Sequence, residues 1–129
     1  MYLNEAENQL GLAEDCLEEA KSLFSSGFYR GAASRAYYSM FHAAKALLAA
    51  KNISPKRHAG VLRMLSLEFV KEGLLEETYA NAYKLAFDLR SDADYTVDAR
   101  ISEEMAEEVI SNAELFLKKA KEVLKEIRG

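Results

Sequence analysis

The residues best suited to chemistry in this 129-residue chain are arginines and histidines placed where apolar residues are expected. Arg90 is the first. It interrupts a stripe of Tyr79, Ala82, Tyr83, Ala86, Leu89 and Ala93 that helical spacing puts near one face. A guanidinium on such a face needs a partner. Asp94, four residues on, supplies one as an ordinary structural pair. Alternatively the always-charged fork holds a phosphate or stabilises a phosphorane-like transition state, with Tyr95 beside it to donate a hydrogen bond. Arg35, Ser39 and His42, spaced four and three apart, share a second face. An Arg–His pair serves phosphodiester cleavage, the histidine moving the proton of a ribose 2′-OH and the arginine steadying the negative charge that develops. Interhelical hydrogen bonding from an enclosed helix accounts for the same three residues.

A third group, Lys51, Lys56, Arg57, His58 and Arg63, surrounds a turn. RNA phosphates can dock there, although without interleaved aromatics such a patch binds weakly, with strong salt dependence and no sequence preference. A solvated turn has the same composition. Zinc has no visible site, because one cysteine and two histidines offer none of the paired spacings of tetrahedral coordination. Phosphate-cradling glycine motifs are missing too. The acids Asp88, Asp92, Asp94 and Asp98 suit a divalent cation only in part, and exposed acids at a helix end are commoner. No metal and no cofactor are expected.

The elements that must position these residues are helices. Six glycines and one proline leave too few breakers for a turn-rich β-sandwich, while 50% hydrophobic and 29% charged residues exclude disorder. A net charge of −4 argues against a surface covered in nucleic-acid-binding cations, though not against a local basic patch. The first helix is predicted from Asn4, its N-cap, to Ser25, with Glu7 completing a capping box and Gly27 closing it. Leu3, Ala6, Leu10, Ala13, Leu17, Ala20 and Phe24 form its buried seam. The second, Phe28 to Lys51, is apolar or aromatic nearly all round from Ala36 to Ala44 and should be the central helix. Ser54 as N-cap with Pro55 in the first turn opens a third helix to about Glu72, which Gly73 stops. A fourth opens at Leu74 or Leu75 and ends near Asp92 to Tyr95. Ser102 caps the fifth, whose stripe runs Ala106, Ile110, Ala113, Leu117, Ala120, Leu124, Ile127. Long helices joined by short turns pack most simply as an all-α, five-helix antiparallel up-and-down bundle, one domain over 1–129. Tyr79, Tyr83 and Phe87 add apolar surface that predicts a homodimer. No apolar run approaches the ~20 residues of a membrane span. The start, Met1 to Glu5, does not read as a signal peptide, and the single Cys16 makes the cytoplasm the default compartment.

The segments Ser34-Arg35-Ala36-Tyr37-Tyr38-Ser39-Met40-Phe41-His42-Ala43-Ala44, His58-Ala59-Gly60-Val61 and Arg90-Ser91-Asp92-Ala93-Asp94-Tyr95 resemble the HEPN domain. The likeness is to its small stand-alone prokaryotic members, with a double-tyrosine helix followed by R-x-x-A-D-Y. That resemblance implies a dimeric five-helix bundle. It also implies a part in a toxin–antitoxin or defence module beside a nucleotidyltransferase of the MNT type, with RNA or nucleotide bound through Arg90, Asp94, Arg35, Lys56, Arg57 and His58. Many members are metal-independent ribonucleases whose signature is an arginine followed, four to six residues on, by a histidine. Here Tyr95 stands five residues after Arg90, with Thr96 and Val97 beyond it, and a phenol of ordinary pKa near 10 takes up no proton at neutral pH. If the chain is a ribonuclease, Arg90, Tyr95 and a displaced His42 are the catalytic candidates; the other alternative is a purely structural dimeric interaction module. Val97 takes the place of the tyrosine that nucleotidylation modifies in silenced toxins.

Overall fold

The structure, a computed structural model, describes the backbone of residues 2–95 and 100–128 and the side chains of residues 5–91 and 100–128. Five α-helices follow in order: α1 Tyr2–Ser25, α2 Tyr29–Ala50, α3 His58–Leu65, α4 Glu77–Tyr95 and α5 Glu103–Arg128. A π-helical turn, Ser66–Val70, continues α3. No strand occurs among the described residues, and the all-α bundle is as the sequence implies.

Helix α2 is the centre. Helices α1, α3, α4 and α5 all pack on it, α1 most extensively. Ala6, Ala13 and Ala20 of α1 and Ala32, Ala36, Ala43 and Ala46 of α2 are fully or almost fully buried, small side chains that suit a tight helix pair. The Ser39 hydroxyl lies wholly inside, where it donates to the Ala13 carbonyl at 2.8 Å. Burying it without that acceptor would cost about 1–3 kcal/mol.

Three helix ends close in the same way. The amide of Phe28 donates to Leu23 O and that of Gly27 to Phe24 O, a Schellman motif with Gly27 at φ +82°. The pairs Ile53 to Leu48 and Asn52 to Ala49 repeat it with Asn52 at φ +60°, and Leu74 to Phe69 and Gly73 to Val70 repeat it with Gly73 at φ +76°. At the other kind of end, Ser102 Oγ accepts the Met105 amide at 3.1 Å, the cap expected of α5.

Several predicted boundaries move, each for a local reason. Helix α1 already runs at Tyr2, so Asn4 is interior, and Glu7 pairs with Arg128 at 2.6 Å instead of completing a capping box. Ser54 and Pro55 do not open α3. Arg57, in extended conformation, precedes its first residue His58. Pro55 folds back against Gly60, where a Cβ would stand 3.3 Å from Pro55 Cβ. The α-helix reaches Leu65, not Glu72, and the Lys71 amide bonds to Ser66 O in π-helical register. Lys51 reaches across to donate to Glu68 O at 2.5 Å and lies 4.5 Å from the Phe69 ring. Helix α4 begins at Glu77 because the amides of Leu74 and Leu75 both turn back to Phe69 O.

Gly27→Ala forces a Cβ into left-handed backbone and should lower unfolding stability by about 1–2 kcal/mol. Gly11→Ala, mid-helix with nothing within 4 Å of the new methyl, should raise it by about 0.5–1 kcal/mol. Urea unfolding of the two variants beside the parent checks both signs.

Candidate functional site

Although α2 is enclosed on most sides, it keeps one partly open stripe. Arg35, Tyr38, His42 and Lys45 recur at i, i+3, i+7 and i+10, all half-buried, while Ala36, Tyr37, Met40, Phe41 and Ala44 between them are buried. Helix α1 flanks this stripe on one side, and α3 with α4 flanks it on the other. The three segments singled out in the sequence thus meet along one helix face.

Tyr38 lies beneath two guanidiniums. Arg35 Cζ is 4.9 Å from its ring centroid and Arg90 Cζ, arriving from α4, is 5.4 Å from it. Arg35 is also tethered to Glu19 of α1 at 3.3 Å. The Nε of Arg90 is buried, so this charge is fixed in the fold rather than waving in solvent.

His58, the first residue of α3, enters the same neighbourhood. Its ring centroid is 4.5 Å from Phe41, 5.5 Å from Tyr37, 5.9 Å from Tyr38 and 5.8 Å from Phe87, the last nearly parallel. Its Nδ1 is 2.5 Å from the Tyr37 hydroxyl, which is 3.2 Å from the Tyr83 hydroxyl. Burial, and then the positive charges of Arg90 and Lys45, hold the imidazole below its ordinary pKa, so it is neutral at pH 7. The phenol of Tyr37, pushed up to about 12 chiefly by burial, stays protonated.

His42 goes elsewhere. Its Nδ1 meets Gln9 Oε1 at 2.8 Å, and the Gln9 amide nitrogen donates to Glu5 Oε1 at 3.0 Å. Burial, then Lys45 and Arg35, lowers its pKa; Arg90 takes no part. The predicted face of Arg35, Ser39 and His42 exists, and each member bonds to α1, through Glu19, the Ala13 carbonyl and Gln9. The histidine brought to Arg90 is His58.

In the basic turn, Lys51 is committed to Glu68 and Phe69, whereas Lys56, Arg57 and Arg63 are exposed. Of the turn's residues, His58 stands among aromatic rings, those of Tyr37, Tyr38, Phe41 and Phe87, the first and third of them buried. Asp88 pairs with Lys84 at 3.0 Å, and among the described residues no three potential metal ligands gather. The side chains of Asp94 and Tyr95, the predicted partners of Arg90, lie outside the described residues, as do Asp92, Thr96, Val97 and Asp98. Buried Cys16, its thiol raised by desolvation, is no nucleophile. Tyr83, expected only as apolar surface, holds its hydroxyl 3.2 Å from that of Tyr37; its four-residue spacing from Phe87 was the available signal.

The HEPN domain family model matches residues 6–123. Among similar proteins, "Putative toxin MJ0605" of Methanocaldococcus jannaschii is 50% identical over 116 residues, covering 90% of this chain and 86% of its own length. "Putative toxin MJ0142" of the same organism is 41% identical over 123 residues, 95% of this chain and 84% of its own. A "UPF0332 protein" of Archaeoglobus fulgidus is 34% identical over 126 residues, 98% of this chain and all of its own.

Two titrations follow. By ring-proton NMR His58 should titrate below 6.5, and Arg90→Leu should move it upward by removing a facing positive charge, while Lys45, Tyr37, Tyr38 and Tyr83 stay in place. Both histidines have folded pKa values below their unfolded ones, so the unfolded chain binds protons first. Unfolding free energy should therefore fall as pH drops below about 6.5, and replacing both histidines by Asn should flatten that dependence.

Proposed function

The chain belongs to the HEPN domain family, and from that premise we propose that it is the HEPN subunit of a toxin–antitoxin or defence module and acts on RNA where Arg90, Tyr38 and His58 meet. The observation that carries this reading is the nearness of a neutral histidine to a fixed arginine, with Tyr38 between the charged and stacking functions. Two relatives carrying the word toxin in their names point the same way.

The chemistry is metal-independent transesterification. Arg90 holds the non-bridging phosphate oxygens, and His58 takes the proton of the ribose 2′-OH. The freed O2′ forms a bond to phosphorus and the P–O5′ bond breaks. The 5′ oxygen leaves with a proton from water, giving a 2′,3′-cyclic phosphate and a 5′-hydroxyl end. Tyr38 holds the guanidiniums of Arg35 and Arg90 in place, and Lys56 and Arg57 extend the positive path along the strand. Asp94 and Tyr95 carry no step. A nucleotidyltransferase of the MNT type is the proposed antitoxin. A second copy of the chain is the proposed homodimer partner, although Tyr83 is buried within the subunit and Tyr79 and Phe87 partly so. Their surface is spent internally, and exposed Leu67 and Leu85 remain for that contact.

A second reading, binding without cleavage, is favoured by the two guanidiniums gathered over Tyr38, which suit an RNA phosphate whether or not a proton moves.

Cleavage of a mixed single-stranded RNA in EDTA separates the two. The parent should cut, Arg90→Ala and His58→Ala should each lose about 100-fold or more, and His42→Ala should stay within about threefold of the parent. Loss in His42→Ala with His58→Ala unaffected would reverse the assignment of the histidine. No cleavage by folded parent that binds the RNA would leave the binding reading standing.

A further inference from the structure

The hydrogen bonds around His58 admit one complete proton arrangement. The His58 backbone carbonyl can only accept, and the Tyr83 hydroxyl lies 3.4 Å from it, so Tyr83 spends its single hydrogen there. The Tyr37 to Tyr83 contact, 3.2 Å between oxygens, must then be made by the Tyr37 hydrogen. With that hydrogen spent, the 2.5 Å contact between Tyr37 and His58 Nδ1 is made by a hydrogen on Nδ1. The reverse orientation, with Tyr37 donating to Nδ1, satisfies two of the three contacts at most. The chain of donors leaves the imidazole ring of His58, passes through α2 and α4, and returns to the carbonyl of the same residue.

We infer that Tyr37 and Tyr83 are positioning residues that lock His58 in the Nδ1–H tautomer, leaving Nε2 as the ring's lone-pair acceptor. A neutral imidazole carries one proton, so fixing it on Nδ1 decides what Nε2 can do. Both tyrosine side chains are buried, at 0% and 1% exposure, which keeps water from competing for the relay. Packing of the ring against Phe41 and Phe87 restrains its rotation. An acceptor nitrogen on a ring that shares Tyr38 with Arg90 suits a ligand that brings a hydroxyl donor and an anionic oxygen together, as a ribose 2′-OH next to its 3′-phosphate does. DNA lacks that hydroxyl and so offers Nε2 no donor beside its 3′-phosphate. Only this catalytic consequence rests on the ribonuclease reading; the tautomer itself does not.

The test is nitrogen-15 NMR of the histidine rings in the full chain at pH 8. His58 should show a protonated Nδ1 and an unprotonated Nε2. Tyr37→Phe should shift it toward the Nε2–H form while His42, held by Gln9 on the other side of Phe41, keeps its signals and so reports an intact fold. Tyr83→Phe should shift it part of the way, because Tyr37 is then free to turn round. A parent whose His58 carries its proton on Nε2, or a Tyr37→Phe protein whose His58 is unchanged, would overturn the relay. In the RNA assay, Tyr37→Phe should lower kcat by about tenfold or more with KM little changed. An Nδ1–H parent that cuts no RNA keeps the relay and removes the ribonuclease; a cutting parent with the wrong tautomer does the opposite.

Discussion

A phenol with no solvent exposure has to satisfy its hydroxyl inside the protein, and the hydroxyl of Tyr37 sets the terms for everything around it. It lies on the helix that every other helix packs against, and its partners come from two different elements, His58 at the start of α3 and Tyr83 in the middle of α4. If either element slipped by one residue along α2, the oxygen would be stranded. The same contacts that hold the bundle together also bring a histidine and an arginine to the same ring, Tyr38. Structural demand and chemical opportunity thus share the same atoms.

The charge distribution follows a different logic. Helices α1 and α5 carry opposite charges toward each other, giving Lys21 to Glu114 at 3.3 Å and Lys121 to Glu14 at 3.6 Å, with Arg128 to Glu7 at the chain's far end. Such exposed pairs contribute about 0–1 kcal/mol each and serve mainly to set which faces meet. The C-terminal lysines, conspicuous in sequence, are in part occupied this way. Arg35, Lys45 and Arg90 instead lie close to aromatic rings, where reduced hydration strengthens the cation–ring attraction.

What could be read in advance divides along physical lines. The seams of α1 and α5 and the centrality of α2 follow from helical periodicity, and Ser102 as a cap from local hydrogen bonding. Ser54 and Pro55 misled because an Asn took the left-handed position and the next residues were spent turning the chain back on Gly60, a tertiary contact. The site was half legible. Arg90 stood out as a charge on an apolar face, and the double tyrosine was visible, but Tyr37 and Tyr38 read alike although one faces inward and the other outward. His58 looked like one more cation of a basic turn, and only the fold shows it among four aromatic rings. Spacing along one helix pointed to His42, and that spacing is correct; its partners are on α1, which no periodicity within α2 can reveal.

The proposed RNA contact runs along the α2 stripe, at Tyr38, His58 and Arg90. The most direct measurement is NMR mapping with a short single-stranded RNA, following the aromatic side chains and the arginine Nε–H groups. Tyr38, Phe41, His58 and Arg90 should shift together, saturating at one affinity that weakens with salt. Shifts confined to the basic end of α5, from Lys118 to Arg128, with the α2 stripe unmoved, would contradict it.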